Sequence, residues 1–154
     1  MQIKRITHSE HNLVTALFNS YRVFYKQAPD MELAESYIKA RLQNNESVIF
    51  VALVDVDGAE TPAGFTQLYP RLSSVRATKN WLLNDLYVDA AFRKQGIGEA
   101  LLKTAMDFAR NTGATYLKLE TAFDNYTAQS LYEAVGFIKM EAGEPSSFTY
   151  QIQL

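Results

Sequence analysis

Apolar and polar residues change their spacing several times along this chain, and each change marks an element. Gln2 to Ile6 alternates as a short strand does. From Glu10 to Tyr25 the residues Leu13, Leu17, Tyr21 and Phe24/Tyr25 recur at helical spacing, with Thr7 or Ser9 as the cap, until Pro29-Asp30 stops the run. Glu32 to Leu42 predicts a second helix with Leu33, Tyr37, Ile38 and Leu42 inward, closed by Asn44-Asn45. Ser47 to Val56 is strongly β-branched, Asp57-Gly58 supplies a turn, and Ala63 to Tyr69 returns, which predicts an antiparallel hairpin. Pro70 to Asn80 reads as a loop and Trp81 to Val88 as an apolar strand. A helix follows Gly96, with Ile97, Leu101, Thr104/Ala105 and Phe108 on one side and Gly113 as its stop. Tyr116–Thr121 predicts a strand, Tyr126–Ala134 a short helix, Phe137–Met140 a strand, Gly143–Ser146 a loop and Phe148–Leu154 a last alternating strand. The order β-αα-βββ-α-β-α-ββ predicts one α+β domain over residues 1–154. Its centre is a mixed, mostly antiparallel sheet of about seven strands flanked by about four helices.

Composition narrows the chemistry. A slightly acidic balance, net charge −2, argues against non-specific binding of nucleic acid. With no cysteine in the chain, disulfides, thiolate metal sites and an acyl-cysteine intermediate are excluded. His8 and His11 lie together at a strand-to-helix junction, where a surface or capping role is expected, and no metal site is expected elsewhere. No apolar run is long enough for a signal peptide or a bilayer span, so a cytoplasmic location is the expectation.

Chemistry concentrates after the strand Trp81–Val88. Arg93-Lys94-Gln95-Gly96-Ile97-Gly98-Glu99 is a glycine-bearing turn that opens directly into a helix. A helix start offers unpaired N–H groups and the positive end of the macrodipole, and glycines let an anion approach the main chain. Arg93 and Lys94 add two cations, so the segment reads as a phosphate cradle. A dinucleotide-binding turn is the rival, with Glu120 at a plausible distance as its acidic partner. Its third glycine would fall at Leu101, its first comes well after the strand, and the chain lacks the repeated βαβ units, so that rival is rejected.

A second motif runs from Asn125 to Phe137. On a helix, Ala128, Leu131 and Tyr132 share one face with Asn125 at its start. Taken alone, Tyr132 would be a core aromatic. Taken together, the two motifs resemble the GNAT superfamily of acetyl-CoA-dependent N-acetyltransferases. The signature [R/Q]-x-x-G-x-[G/A] is met by Arg93, Gly96 and Gly98. The asparagine followed by A-x-x-L-Y-x-x-x-G-F is met by Asn125, Ala128, Leu131, Tyr132, Gly136 and Phe137. The resemblance implies that the amides of Lys94, Gln95, Gly96, Ile97, Gly98 and Glu99, with Arg93, hold the pyrophosphate of coenzyme A. It implies that the pantetheine arm pairs with Leu86 and Val88 of a strand that splays from its neighbour at a bulge. A backbone N–H near Leu86 or Tyr87 would polarise the thioester carbonyl. Asn125 and Ala128 would contact the cofactor, and Tyr132 would protonate the departing thiolate. Without cysteine, direct transfer in a ternary complex is expected.

Within the superfamily, Leu83 to Val88 resembles the strand of spermidine/spermine and thialysine acetyltransferases that carries a Glu-Asp pair. Here the Glu position is Asn84, which cannot act as a base. Asp85 matches, although strand alternation can point it away from the acceptor, and Glu120 is a second candidate base. Tyr21, Phe24, Tyr25, Tyr37 and Tyr69 read either as core or as the wall of an acceptor pocket. There each cation–π contact with an ammonium would contribute about 0.5–2 kcal/mol. Tyr21, Tyr25 and Asn84 are the expected acceptor contacts, and Asp30, Glu32 and Glu35 read as a solvated helix start or an acidic rim. The expected acceptor is a diamine, polyamine or lysine-like amino acid. A peptide or protein amine, for which the Pro70–Asn80 loop would form or obstruct a groove, is one alternative, and a non-catalytic acetyl-CoA sensor is another. Neither nucleic acid nor membrane is an expected partner. A homodimer is expected, with Phe148–Leu154 pairing across a two-fold axis.

Overall fold

The computed structural model describes residues 1–140 and 147–154; the expected loop at Gly143–Ser146 lies outside them. The elements run β1 (Gln2–Arg5), a 3-10 turn (His8–Glu10), α1 (Asn12–Phe24), α2 (Met31–Gln43), β2 (Val48–Val56), β3 (Ala59–Ser73) and β4 (Thr78–Val88). A second 3-10 turn (Ala90–Phe92), α3 (Ile97–Asn111), β5 (Tyr116–Ala122), α4 (Tyr126–Val135), β6 (Ile138–Lys139) and β7 (Ser147–Gln153) follow. Local chemistry explains the boundaries. Asp30 caps α2 by accepting from the Leu33 N–H at 3.0 Å, and Asp57 and Gly58 turn the β2–β3 hairpin with φ of 53° and 82°.

The sheet order is β1-β2-β3-β4-β5-β7-β6, antiparallel at every step except β4–β5. Alternate residues of β2 serve opposite faces. Ile49, Val51 and Leu53 pack with Val14, Leu17, Phe18, Ala34 and Ile38 of α1 and α2. Phe50 and Ala52 pack in the opposite cluster with Leu101, Leu102 and Ala105 of α3, together with Leu68, Trp81, Leu83, Leu117 and Leu119. A strand covered on both faces reads as a continuous apolar run, which is why Val48 to Val54 shows no alternation.

Three expectations need correction. Leu33 of α2 is exposed and not inward, because Ala34 and Ile38 carry the buried face of that helix. Pro70–Asn80 is not a loop: β3 and β4 continue through Pro70↔Trp81, Arg71↔Asn80, Leu72↔Lys79 and Ser73↔Thr78, leaving a turn at 74–77. Proline is tolerated because β2 stops pairing at Leu68, and the alternation of β3 turns the Pro70 nitrogen to that free edge. The last strand is also not a free edge. β7 lies between β5 and β6, with Tyr150 and Gln151 paired on both sides. No helix among the described residues is long and apolar enough to cross a membrane.

Candidate active site

The site begins where two strands part. β4 and β5 pair only at Trp81↔Leu117 and Leu82↔Lys118. Beyond Leu82, β4 stays with β3 as far as Val88, and β5 stays with β7 as far as Ala122. The Asp89 N–H donates to the Ala63 carbonyl at 2.8 Å, which sets the phase of the β3–β4 ladder. Tyr87 therefore turns its backbone groups to β3, while Leu86 and Val88 turn theirs into the gap. The Val88 carbonyl accepts from Arg93 Nε at 3.0 Å, and the Arg93 guanidinium lies over the rings of Tyr87 (5.6 Å) and Phe24 (6.0 Å). A cavity of about 350 Å³ opens at the mouth of the gap. It lies between Phe24, Tyr25 and Lys26 at the end of α1 and Ala122, Asp124 and Asn125 at the end of β5.

Gly64 allows the ladder to close here. A Cβ on it would stand 2.8 Å from the Tyr87 carbonyl oxygen. The turn into α3 has a different requirement. Lys94 and Gly96 are both left-handed, with φ of 61° and 80°, and a Cβ on Gly96 would meet nothing within 4 Å. Conformation, not space, selects glycine at that position. Gly96 caps α3 without a side chain, so the first-turn N–H groups have no side-chain partner among the described residues, and Lys94, Gln95 and Glu99 around them are exposed. Ile97 is buried and anchors the turn to the core, and Gly98 lies between Leu131 and Val88. An unpaired strand edge, a gap and a bare helix start are what an extended molecule with a peptide-like arm and an anionic end requires.

Helix α4 closes the gap from the other side. Asn125 caps it, its Oδ1 accepting from the Ala128 N–H at 3.2 Å, and Gly136 ends it with φ 113°. Tyr132 is 7% exposed, with its ring 5.9 Å from Tyr150 and 6.0 Å from Phe137. Burial, and after it the neighbouring Tyr25, hold its pKa above that of an ordinary phenol. The hydroxyl is thus kept in its proton-bearing form.

On the α1 face a bulge decides the chemistry. Gln67 registers with Asp85 and Leu68 with Leu83, which leaves Asn84 unpaired. Simple alternation would put Asp85 on the face of Leu83, against α3. The extra residue inverts the alternation and turns Asp85 toward α1. Asp85 is 2% exposed. Gln67 Nε2 donates to one carboxylate oxygen and Asn84 Nδ2 to the other at 2.8 Å, and the Tyr21 hydroxyl faces the same group. Burial outweighs these three donors and raises the Asp85 pKa above the usual carboxylate range. Tyr21 stacks edge-on with Tyr25 at 5.0 Å and with Tyr87 at 6.4 Å. Tyr21 and Tyr25 are both held protonated, by burial first and the Asp85 charge second.

The structure therefore groups Tyr21, Tyr25, Asn84 and Asp85 on one face of the gap and Tyr132, Asn125 and Ala128 on α4. Glu120 is exposed on β5, in register with Thr149 and two residues beyond the last β4–β5 pair, which puts it across the gap at the level of Asn84. Gln67 is the participant that sequence reading missed. A glutamine amid Phe65, Thr66 and Leu68 in a buried strand was the available signal, and its Oε1 has no hydrogen-bond partner among the described residues.

Comparison with known proteins agrees with this geometry. Residues 13–137 match the acetyltransferase (GNAT) family. An uncharacterized N-acetyltransferase of Bacillus subtilis, YhfO, is 44% identical over 137 residues, 89% of each chain. The crystal structure of a probable acetyltransferase aligns with TM-score 0.85 at 36% identity over 94% of each chain. The N-acetyltransferase PaiA of Thermoplasma acidophilum, solved in complex with coenzyme A, shares the fold at TM-score 0.70 and 20% identity over the whole of both chains. This chain belongs to the GNAT family: it is an N-acetyltransferase that uses acetyl-CoA.

Proposed function

We propose that this acetyltransferase modifies a small cationic amine, a diamine, polyamine or lysine-like amino acid, by direct transfer within a ternary complex. The observation that carries the reading is Asp85: a buried carboxylate, turned by the Asn84 bulge to the α1 face and surrounded by Tyr21 and Tyr25 beside the gap. An ammonium entering there meets an anion and aromatic faces, and Asp85 takes up the proton that the amine must lose before it attacks. Asn84 and Gln67 fix the carboxylate. The Leu86 N–H, directed into the gap, receives the charge that develops on the thioester oxygen, and Tyr132 gives its proton to the departing sulfur. Arg93, Lys94 and the amides from Gln95 to Glu99 hold the pyrophosphate, Val88 pairs with the pantetheine arm, and Asn125 and Ala128 line its path. Glu120 is held as the second candidate base. A cytoplasmic homodimer completes the proposal, with assembly checked by sedimentation.

Thiol release from acetyl-CoA tests the acceptor. Spermidine, putrescine, lysine and a lysine-containing peptide are offered to the wild type and to Asp85→Asn. Turnover of the small amines, lost in Asp85→Asn while acetyl-CoA still binds, supports the reading. Turnover confined to the peptide would overturn it.

A further inference from the structure

On the basis of that amine-acceptor reading, we infer that the acceptor is an amino acid. Its zwitterionic head lodges between Arg41 and Glu46 while its side-chain amine reaches Asp85. A second cavity, of about 520 Å³, opens where α2 ends against β3, lined by Tyr37, Arg41, Asn45, Glu46, Tyr69 and Pro70. One wall is the hydroxyl pair of Tyr37 and Tyr69, 2.7 Å apart. Tyr69 lies two residues along β3 from Gln67 and on the same face, so their backbones are about 7 Å apart along the strand and the cavity wall neighbours a residue that holds Asp85. Burial first, then the Tyr37 hydroxyl and the Asp85 charge, raise the pKa of Tyr69, so that carboxylate is felt at the cavity wall.

Arg41 is held but little used. Its guanidinium lies 4.5 Å over the Tyr37 ring, and its Nε has no hydrogen-bond partner among the described residues. Its ion pair with Glu46 is long, at 3.6 Å. A guanidinium fixed by stacking on Tyr37 suits a carboxylate, because its planar fork matches the two oxygens. Glu46, half exposed beside it, suits the α-ammonium. A diamine would bring a second cation to Arg41 with nothing for the guanidinium to bind. The cavity wall at Tyr69 and the Asp85 partner Gln67 are successive residues on one face of β3, so the side-chain amine would extend along that face toward Asp85.

Thiol release with lysine and with cadaverine, which is lysine without its carboxylate, reads the contact directly. The expected kcat/KM ratio favours lysine by about tenfold or more in the wild type. Arg41→Gln should bring the ratio toward one, with Arg41→Lys in between. Glu46→Gln should weaken the preference for lysine over its Nα-acetyl derivative. A ratio cancels any loss of folded protein, so misfolding does not imitate the result. A wild-type ratio near one, or a lysine preference that Arg41→Gln leaves intact, overturns the head-group assignment and leaves the amine acceptor standing. An unchanged preference in Glu46→Gln overturns its ammonium half. No thiol release with either amine from protein that turns over spermidine or putrescine overturns this inference alone; none with any small amine, from protein that binds acetyl-CoA, overturns the acceptor reading as well.

Discussion

The two sides of the gap are built from different materials. On the α3–α4 side the proposed working parts are mostly backbone: the edge groups of Leu86 and Val88, the start of α3 and the left-handed turn at Gly96. On the α1 side they are side chains, and they come from distant parts of the chain: Tyr21 from α1 and Tyr25 just past its end, Gln67 from β3, Asn84 and Asp85 from β4. A backbone site places strict demands on a few residues, mainly glycines, and tolerates wide change around them. A side-chain site depends on register, so one inserted residue re-aims it. Such a protein can keep one cofactor while the acceptor side diverges.

Four experiments test this contrast. The largest effect is expected at Asp85. Asp85→Asn should lower kcat/KM by about 10²–10⁴, the usual range for a positioned proton-transfer group, without loss of acetyl-CoA affinity. The same variant should gain stability at neutral pH. The pKa of Asp85 is raised in the folded state. Its contribution is therefore fully present below the unfolded carboxylate pKa and is lost as pH rises through the folded value. Above that pH the buried charge opposes folding, and an amide removes it; its NH2 would face Gln67 Nε2, so the Gln67 amide must turn over for Oε1 to accept. Each kcal/mol relieved should raise the melting temperature by about 2–4 °C. Activity of the wild type should fall as pH drops through a pKa above the ordinary carboxylate range, and that limb should vanish in Asp85→Asn.

Tyr132→Phe comes next. A loss of about 10²-fold in kcat with unchanged coenzyme A affinity, read by stopped-flow kinetics and calorimetry, is the signature of an acid. Equal loss of both would make it a packing residue. Gly64→Ala should act on the fold that the two sides share. Its Cβ would meet the Tyr87 carbonyl at 2.8 Å, and the resulting overpacking should cost about 1–3 kcal/mol in denaturant unfolding. The smallest effect belongs to Asn125→Ala, where loss of the α4 cap should cost about 1 kcal/mol. A drop in coenzyme A affinity beyond that would give Asn125 a direct contact as well.

Legibility followed the same division. The turn from Arg93 to Gly98 and the segment from Asn125 to Phe137 could be read because each lies within a few consecutive residues. The element order followed from periodicity because burial on one or both faces writes itself into local spacing. The length of the β3–β4 hairpin was obscured by Pro70, whose cost disappears only when the adjacent strand has ended. Gln67 could not be assigned, because its partner Asp85 lies 18 residues away and is met only through cross-strand register.

From local backbone preference and spacing alone the chain disclosed its α+β order, the glycine turn that opens α3 and the tyrosine of α4. Tertiary structure decided the direction of Asp85. Strand alternation sends it toward α3, and the unpaired Asn84 sends it toward the tyrosines of α1. A bulge is a property of two strands in register, and neither strand carries it alone.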